Sequence, residues 1–207
     1  MKHIAESTVR LLSLYLRFLE EFEAKGAATV ASNELAARGG TTSAQVRKDL
    51  SFFGSFGKRG LGYSVPELAQ AIRKILGLER DWKIIIIGAG KIGAALAQYS
   101  GFQQRGFRII AVYDEDPAKI GKKVDGLTVR AVKDLVRDSA RDRADIAVVT
   151  VPAVAAQQAV DNAVRAGVRA IMNFAPAQLV VPDTVALKNV NMAMELEGLS
   201  FALTKQD

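Results

Sequence analysis

Residues 83–93 have the sequence Lys-Ile-Ile-Ile-Ile-Gly-Ala-Gly-Lys-Ile-Gly, and Ala-Ala-Leu-Ala-Gln follows at 94–98. The isoleucines have the length of a buried strand, and the residues after the glycines have helical spacing. The motif G-x-G-x-x-G therefore stands between a strand and a helix, which is the context it requires. Its glycines allow a tight turn, close approach of the backbone to a pyrophosphate at a helix N-terminus, and helix–strand packing. The sequence thus predicts a dinucleotide site that includes Gly88, Ala89, Gly90, Lys91, Ile92 and Gly93.

Outward from this motif, short apolar runs alternate with helical patterns. The strand candidates are Lys83–Ile87, Arg108–Tyr113, Asp145–Val151 and Val168–Phe174, and helical patterns cover Lys91–Tyr99, Val132–Arg137 and Val154–Ala166. This alternation predicts an α/β domain with a Rossmann-like parallel sheet. Asp114 ends the second strand, 21 residues after Gly93. An acid at that position accepts hydrogen bonds from ribose hydroxyls and repels a 2′-phosphate, which favours NAD(H) over NADP(H).

Each of these positions also has a plainer interpretation. Asp114 is equally consistent with a solvated turn residue beside Asp116-Pro117, and Lys91 with an exposed residue at a helix start. Two later strands end in polar turns, at the carboxyl edge where α/β proteins bind ligands. These turns are Thr150-Val151-Pro152 and Asn173-Phe174-Ala175-Pro176, and either fits an ordinary strand-to-helix turn.

Residues 1–80 instead look mainly helical and have the parts of a winged helix-turn-helix. Apolar residues at helical spacing over 4–25 predict a first helix, on which Val9, Leu14 and Leu16 fall outside the main stripe and suggest contact with a partner subunit. A short helix over Ser32–Ala37 and a glycine turn follow, and Thr42 with Gln45 matches a capping box. In the next helix, Val46, Leu50 and Phe53 share one face, and Ala44, Arg47, Lys48 and Ser51 share the other. The second face suits a recognition helix in a DNA major groove.

A glycine-rich segment over residues 54–63 predicts a tight hairpin with Lys58 and Arg59 at its tip. A cationic tip suits the negative potential of a DNA minor groove. Residues 38–63 carry five cations (Arg38, Arg47, Lys48, Lys58 and Arg59) and one anion (Asp49), which is +4 of the chain's net charge of +6. The alternative is a helix pair with a solvated basic face and a flexible loop.

The composition excludes several kinds of chemistry. The 207 residues contain no cysteine and one histidine, His3, at the very N-terminus, so thiolate chemistry, a Ser-His-Asp triad and a His-rich metal site are not expected. No run of 18 apolar residues and no signal-peptide core are present, which favours a soluble cytoplasmic protein. Any function must therefore use carboxylates, lysines, hydroxyls, backbone groups or binding alone, and we expect neither enzymatic activity nor a metal.

The combination of these two halves resembles the Rex family of redox-sensing transcriptional repressors. The resemblance covers nearly the whole chain, and its most specific segments are Gln45–Gly54, Gly57–Tyr63, Gly88–Gly93, Tyr99–Phe102 and Asn173–Pro176. It implies a homodimer on a palindromic DNA operator that is released by NADH, with a C-terminal helix swapped between subunits. It also implies a winged-helix DNA-binding domain over 1–80, a Rossmann NAD(H)-binding domain over 81–190 and a dimerisation helix over 191–207.

Carried onto this sequence, the resemblance assigns DNA contacts to the recognition helix and the wing. The residues are Ser43, Gln45, Arg47, Lys48 and Ser51 on the helix and Lys58, Arg59 and Tyr63 in the wing. Asn173, Phe174 and Ala175 would lie near the nicotinamide. The tail Asn191–Thr204 has a stripe of apolar residues, Met192, Leu196, Leu199 and Leu203, which suits burial against its own domain or a partner.

One position departs from the family pattern. Family members pair an arginine of the first helix and a tyrosine after the Rossmann helix with an aspartate at the start of the tail. Here Arg17 and Tyr99 match, but the third position is Asn191, which lacks the charge to hold Arg17. The coupling is therefore expected to be weaker, or to be carried by Glu195 or Glu197.

Two enzyme classes are the rival interpretations. An NAD-dependent oxidoreductase would need a substrate domain and a catalytic residue, and residues 83–207 leave little room for the first and contain no histidine or cysteine. A CoA-binding module of the acyl-CoA ligase type would need a phosphorylated histidine. A repressor whose DNA affinity reports the NADH/NAD ratio remains the expectation, and it requires that NADH bind more tightly than NAD.

Overall fold

The computed structural model describes residues 6–58 and 61–204, which form two compact units, one ending at Arg80 and one beginning at Asp81. The first unit contains four helices and a small sheet. In chain order its elements are α1 (Glu6–Ala24), β1 (Thr29–Val30), α2 (Ser32–Gly39), α3 (Ser43–Ser51), β2 (Gly57–Lys58), β3 (Gly62–Ser64) and α4 (Val65–Ile75). The three strands are antiparallel in the order β1-β3-β2.

The core of the first unit forms where α1 packs against α4. Leu12, Tyr15, Leu16 and Leu19 are buried on α1, at the spacing of one helix face. Leu16 therefore belongs to the unit's own core, and its assignment to a separate face was wrong. Val9 is 40% exposed, and Leu14 is half-buried.

The turn between α2 and α3 ends the first helix and starts the second. Gly40 ends α2 in the left-handed region with φ 60°, where glycine has no steric cost. Thr42 then caps α3, its hydroxyl accepting a hydrogen bond from the backbone N–H of Gln45 at 3.1 Å. The reciprocal half of the predicted capping box is wrong, because the Gln45 side chain donates to Asp49 at 2.7 Å.

The second unit is built on a seven-stranded sheet. Its first elements are β4 (Trp82–Ile87), α5 (Lys91–Ala97), α6 (Ser100–Gln103), β5 (Phe107–Asp114), β6 (Lys123–Val124) and β7 (Leu127–Ala131). A 3₁₀ turn (Val132–Asp134) leads to α7 (Leu135–Asp142), β8 (Ile146–Val149), α8 (Ala153–Arg165), β9 (Ala170–Asn173), β10 (Ala186–Asn189) and α9 (Met192–Leu203). The strand order is β10-β9-β8-β4-β5-β7-β6, and only β6 is antiparallel to its neighbour. Without β6 this is the doubly wound order, which confirms the predicted Rossmann-like α/β fold.

Strand β4, the first of this sheet along the chain, is buried on both faces. Ile85 and Ile87 belong to the core on one side, and Ile84 and Ile86 to the core on the other. A parallel strand covered by helices on both sides needs apolar residues at every position, which is why the isoleucines run without alternation. The chain moves in opposite directions from β4, to β5 on one side and later to β8 on the other, so β4 and β8 flank the switch point where such sheets bind ligands.

Several elements differ from the sequence expectation. The predicted helix over Lys91–Tyr99 ends at Ala97, and the one over Val132–Arg137 starts as a 3₁₀ turn and extends to Asp142. Strands β7 and β10 were not predicted. No described helix has both the length and the apolar character to cross a membrane.

Candidate functional site

In the glycine turn after β4, two of the three motif glycines leave no room for a side chain. Gly88 has φ +111°, and a Cβ on it would lie 2.8 Å from the Thr150 hydroxyl oxygen. A Cβ on Gly93 would lie 1.9 Å from the carbonyl oxygen of Gly88. A Cβ on Gly90 would meet nothing within 4 Å. The fold therefore requires Gly88 and Gly93, whereas Gly90 borders open space into which a ligand can approach the backbone.

A cavity of about 560 Å³ lies at the carboxyl ends of the strands, next to this turn. This volume suits a small-molecule or cofactor ligand. The predicted residues that line it are Gly88, Gly90, Ile92, Asp114, Thr150, Val151, Pro152 and Phe174. The predicted residues that do not line it are Ala89, Lys91, Gly93, Asn173 and Ala175.

The carboxylate of Asp114, which lines the cavity, accepts three hydrogen bonds. Its Oδ2 accepts a hydrogen bond from the backbone N–H of Ala89 at 2.7 Å, and its Oδ1 accepts one from Asp116 at 2.9 Å. The Lys119 ammonium donates to Oδ2 at 3.1 Å. Burial by itself raises the pKa of Asp114, but the backbone hydrogen bonds and Lys119 outweigh it and lower that pKa below its ordinary value. Asp114 is thus a fixed, charged acceptor, which fits the ribose diol of a dinucleotide.

Asn173 has a different position from the one expected. It is 1% exposed, and its amide donates at 2.9 Å to the carbonyl of Ala175 and to the Asn189 side chain. Its Oδ1 accepts the backbone N–H of Ala175 at 2.9 Å. Asn173 therefore shapes the turn, and Phe174, the next residue, lines the cavity.

Sequence reasoning missed one whole wall of the cavity. This wall is a stripe on α8 at positions i, i+3, i+4 and i+7, and helical periodicity was the signal that would have found it. Its residues are Ala155, Gln158, Ala159 and Asn162. The other lining residues that were not assigned to the site are Ile87, Glu115, Asp116, Lys119, Val132 and Pro176, although Asp116 and Pro176 belong to turns that the sequence marked.

The first unit presents an exposed polar face on α3. Val46 and Leu50 are buried, as predicted, and Phe53 is partly buried against the same core. Ala44, Arg47, Lys48 and Ser51, which we call the basic face of α3, are exposed. Arg47 donates to the Ser32 hydroxyl at 3.0 Å, which holds the guanidinium near the start of α2. Ser43 is half-buried at the first position of α3.

The glycine-rich segment forms the predicted hairpin, in which Gly57 pairs with Tyr63 and Lys58 with Gly62. Arg59 lies outside the described residues, and only the backbone of Lys58 is described. Tyr63 is 8% exposed, and burial raises the pKa of its hydroxyl. Its ring packs in the core of the unit, and its assignment as a DNA contact stays a prediction. Gln45, whose amide donates to Asp49, is likewise turned toward its own helix.

Of the three residues expected to couple DNA binding to cofactor binding, two are exposed and the third caps a helix. Arg17 is exposed on α1, and Tyr99 is 57% exposed with its ring edge-on to Phe102 at 5.1 Å. Asn191 caps α9, its Oδ1 accepting the backbone N–H groups of Ala193 and Met194 at 3.0 and 3.3 Å. Glu195 and Glu197 are exposed on α9.

Two family models match parts of the chain. Residues 3–51 match a model described as a putative DNA-binding protein N-terminus, and residues 79–177 match a CoA binding domain. The first match includes α3, and the second includes the glycine turn, Asp114 and the turn at Asn173.

Individual proteins are similar over nearly the full length. The redox-sensing transcriptional repressor Rex of Syntrophomonas wolfei subsp. wolfei is 48% identical over 200 residues, 97% of this chain and 95% of its own. The crystal structure of RSP in complex with β-NAD⁺ and operator DNA matches with a TM-score of 0.94 and 38% identity, over 100% of this chain and 95% of the other. RSP in complex with β-NADH matches with a TM-score of 0.89 and 36% identity, over 100% and 97%.

Proposed function

The chain belongs to the Rex family of redox-sensing transcriptional repressors, and from this membership we propose that it is a cytoplasmic homodimer that binds a palindromic operator and is released by NADH. In this proposal residues 1–80 are the winged-helix DNA-binding domain and 81–190 the NAD(H)-binding domain. The proposed dimerisation segment is 191–207, and its described helix, α9 (Met192–Leu203), is proposed to be swapped between subunits. The protein acts by binding and release, without catalysis and without a metal.

The observation that carries the proposal is the cavity beside the glycine turn, with Asp114 charged and held at its rim. A dinucleotide needs an open backbone for its diphosphate and an acceptor for its adenosine ribose, and Gly90 and Asp114 supply these two features. The proposed contacts are the residues of the glycine turn, Asp114, Thr150, Val151, Pro152 and Phe174, with Asn173 and Ala175 shaping the turn.

The other end of the cavity supports a preference for the reduced cofactor. Its lining there is largely apolar, with Val151, Pro152, Phe174 and Pro176. The nicotinamide ring of NAD⁺ is cationic, whereas that of NADH is neutral, and a charge taken from water into an apolar site costs free energy. These residues therefore favour NADH, which a sensor of the NADH/NAD ratio requires.

The DNA side of the proposal rests on the basic face of α3 and the hairpin. Arg47 and Lys48 are exposed on a helix whose opposite face is anchored in the core, so they are presented outward in a fixed direction. Ser43 and Ser51 lie on the same helix, and Lys58 and Arg59 belong to the wing. Cations and hydroxyls on a helix of this kind read base edges and phosphates in a major groove.

The proposed dimer is supported by α9. Its large apolar side chains are each at least 62% exposed in the single chain: Met192, Met194, Leu196, Leu199, Phe201 and Leu203. An exposed apolar helix of this size is typical of an interface with another subunit. We propose that Arg17, Tyr99 and Asn191 couple the two sites at this interface. Asn191 lacks the charge that would hold Arg17, so this coupling is weaker than with an aspartate or is carried by Glu195 or Glu197.

The test is DNA-binding anisotropy on a palindromic operator candidate at fixed salt, titrated separately with NADH and NAD⁺. Salt is fixed because phosphate contacts alone change affinity by orders of magnitude. Release by NADH at concentrations where NAD⁺ has little effect is the expected result. DNA binding that is indifferent to both cofactors contradicts redox sensing. NADH binding without specific DNA binding contradicts the repressor function and favours a dehydrogenase.

A further inference from the structure

Lys119 lies on the loop after β5 and reaches back to the end of that strand. Its ammonium is 3.1 Å from Oδ2 of Asp114 and 3.9 Å from Oδ2 of Asp116. Asp114 has 7% of its side chain exposed, against 38% for Lys119. Both side chains line the cavity, and Lys119 is the one cation among the described residues that do so. The pair therefore forms part of the wall that a bound ribose would meet.

The two members of the pair differ in how firmly they are held. Asp114 accepts two backbone N–H groups, from Ala89 and Asp116, so its position is set by the fold. The Lys119 ammonium is at the end of a flexible four-carbon stem, and its partners among the described residues are the carboxylates of Asp114 and Asp116. The carboxylate can therefore stay in place while the ammonium moves.

The acceptor capacity of Asp114 indicates that the ammonium has to move. A carboxylate has about four lone-pair sites. Ala89, Asp116 and Lys119 already occupy three in this structure. A ribose diol donates two hydrogen bonds, and the site left over accepts one. When both ribose hydroxyls bind, the Lys119 ammonium therefore moves away from Asp114 or shares a lone-pair site with a hydroxyl.

We propose that Lys119 is a second specificity-determining residue of the dinucleotide site, an ammonium that would receive a ribose 2′-phosphate and that Asp114 holds out of that role. The inference rests on the proposed binding of a dinucleotide in this cavity. Asp114 then has two functions, since it accepts the ribose hydroxyls and also neutralises Lys119, the one cation among the described residues that line the cavity.

The charges around the pair explain the discrimination. The acids Asp114, Glu115 and Asp116 line this end of the cavity with Lys119, which leaves the group negative and repels a 2′-phosphate. Removal of the Asp114 charge has two consequences at once: it reduces the repulsion, and it frees Lys119 for a charge-assisted hydrogen bond to the phosphate. The release of Lys119 for this hydrogen bond requires Lys119, whereas the reduced repulsion does not.

The test is a double-mutant cycle on the full chain in the absence of DNA. The affinities of NADH and NADPH are measured by the fluorescence of the reduced nicotinamide for the wild type, Asp114→Asn, Lys119→Gln and the double variant. We expect Asp114→Asn to strengthen NADPH binding about tenfold, and the double variant to lose most of that gain, because a new ion pair is worth on the order of a tenfold change. Lys119→Gln alone is expected to weaken NADPH binding further.

Lys122→Gln is the matched control, because Lys122 is exposed on the same loop and does not line the cavity. It removes the same charge and is expected to leave the NADH/NADPH ratio unchanged. Equal NADPH affinity in Asp114→Asn and in the double variant would overturn the assignment of Lys119, as would an equal effect of Lys122→Gln.

Failure of the dinucleotide site itself gives a different result. A folded wild type that binds neither NADH nor NADPH contradicts the proposed function, whereas NADH binding with no coupling between positions 114 and 119 contradicts only the role of Lys119. If Asp114→Asn loses its fold, as judged by circular dichroism, the cycle is repeated with Asp114→Ser. The decisive quantity is the NADH/NADPH affinity ratio, which loss of stability alone does not change.

Discussion

The cavity and the basic face of α3 are built in opposite ways. In the cavity, the backbone sets the positions: two glycines have no room for a side chain, and Asp114 is held by two backbone N–H groups. On α3, the backbone is an ordinary capped helix, and exposed side chains carry the chemistry. The ligand specificity of the first region therefore depends on the fold, and that of the second can change with single surface substitutions.

The largest expected difference between the regions is their response to salt. Counterion release makes DNA binding steeply salt-dependent, so about six phosphate contacts correspond to a loss on the order of a thousandfold between about 50 and 200 mM. NADH binding in a recessed cavity is expected to change by less than about threefold over that range, because partly buried charges are screened less. Parallel titrations of operator and NADH measure both slopes. An equal salt dependence of operator binding and NADH binding would contradict this difference between the two regions.

Within the basic face, Arg47→Ala is expected to weaken operator binding by about 1–3 kcal/mol if the guanidinium reads a base edge. Lys48→Ala on the same face is the companion variant. Anisotropy on the operator and on random DNA separates the two kinds of contact. A loss that is the same on both DNAs identifies a phosphate contact instead, and NADH affinity should stay constant throughout.

Within the cavity, Gly93→Ala is expected to destabilise the protein by about 1–3 kcal/mol, because the new Cβ would overlap the carbonyl oxygen of Gly88 and the turn must shift. Gly90→Ala adds the same methyl group into open space and serves as the control. Thermal unfolding compares the two variants. Equal stability would mean that the turn does not depend on close contact at Gly93.

The smallest expected effect is that of pH on NADH binding. The hydrogen bonds to Asp114 lower its pKa, so its charged form persists, and the binding it supports is lost only as pH falls through that lowered value. NADH affinity is therefore expected to stay level from neutral pH down through the ordinary titration range of an aspartate and to fall only below that range. Asp114→Asn should abolish the acid limb. A decline already near neutral pH would assign the dependence to another group.

The same contrast explains what the sequence predicted. The strand at Ile84–Ile87, the glycine turn and Asp114 were recognisable because their chemistry is local: a run of apolar residues, a spacing of glycines and an acid after the next strand. The core face of α3 was equally readable, because helical periodicity separates Val46 and Leu50 from the exposed residues.

The remaining features depend on contacts between distant segments. Lys119 has no motif of its own and matters only because its loop folds back to Asp114. Tyr63 stands between a glycine and a serine in a basic segment, and nothing local shows that its ring enters the core. Strands β7 and β10 are short and partly polar, and their pairing partners define them.

The buried carboxylate of Asp49 has a consequence for the kinetics of local opening. It is 1% exposed, and it accepts hydrogen bonds from Gln45 on its own helix and from the Tyr15 hydroxyl on α1 at 3.2 Å. Separation of α3 from α1 would break the hydrogen bond between the Tyr15 hydroxyl and Asp49, which costs about 1–3 kcal/mol. Amide hydrogens of α3 should therefore exchange with solvent together with those of α1, as one cooperative unit. In Asp49→Ala, the amide hydrogens of the two helices should exchange at separate rates.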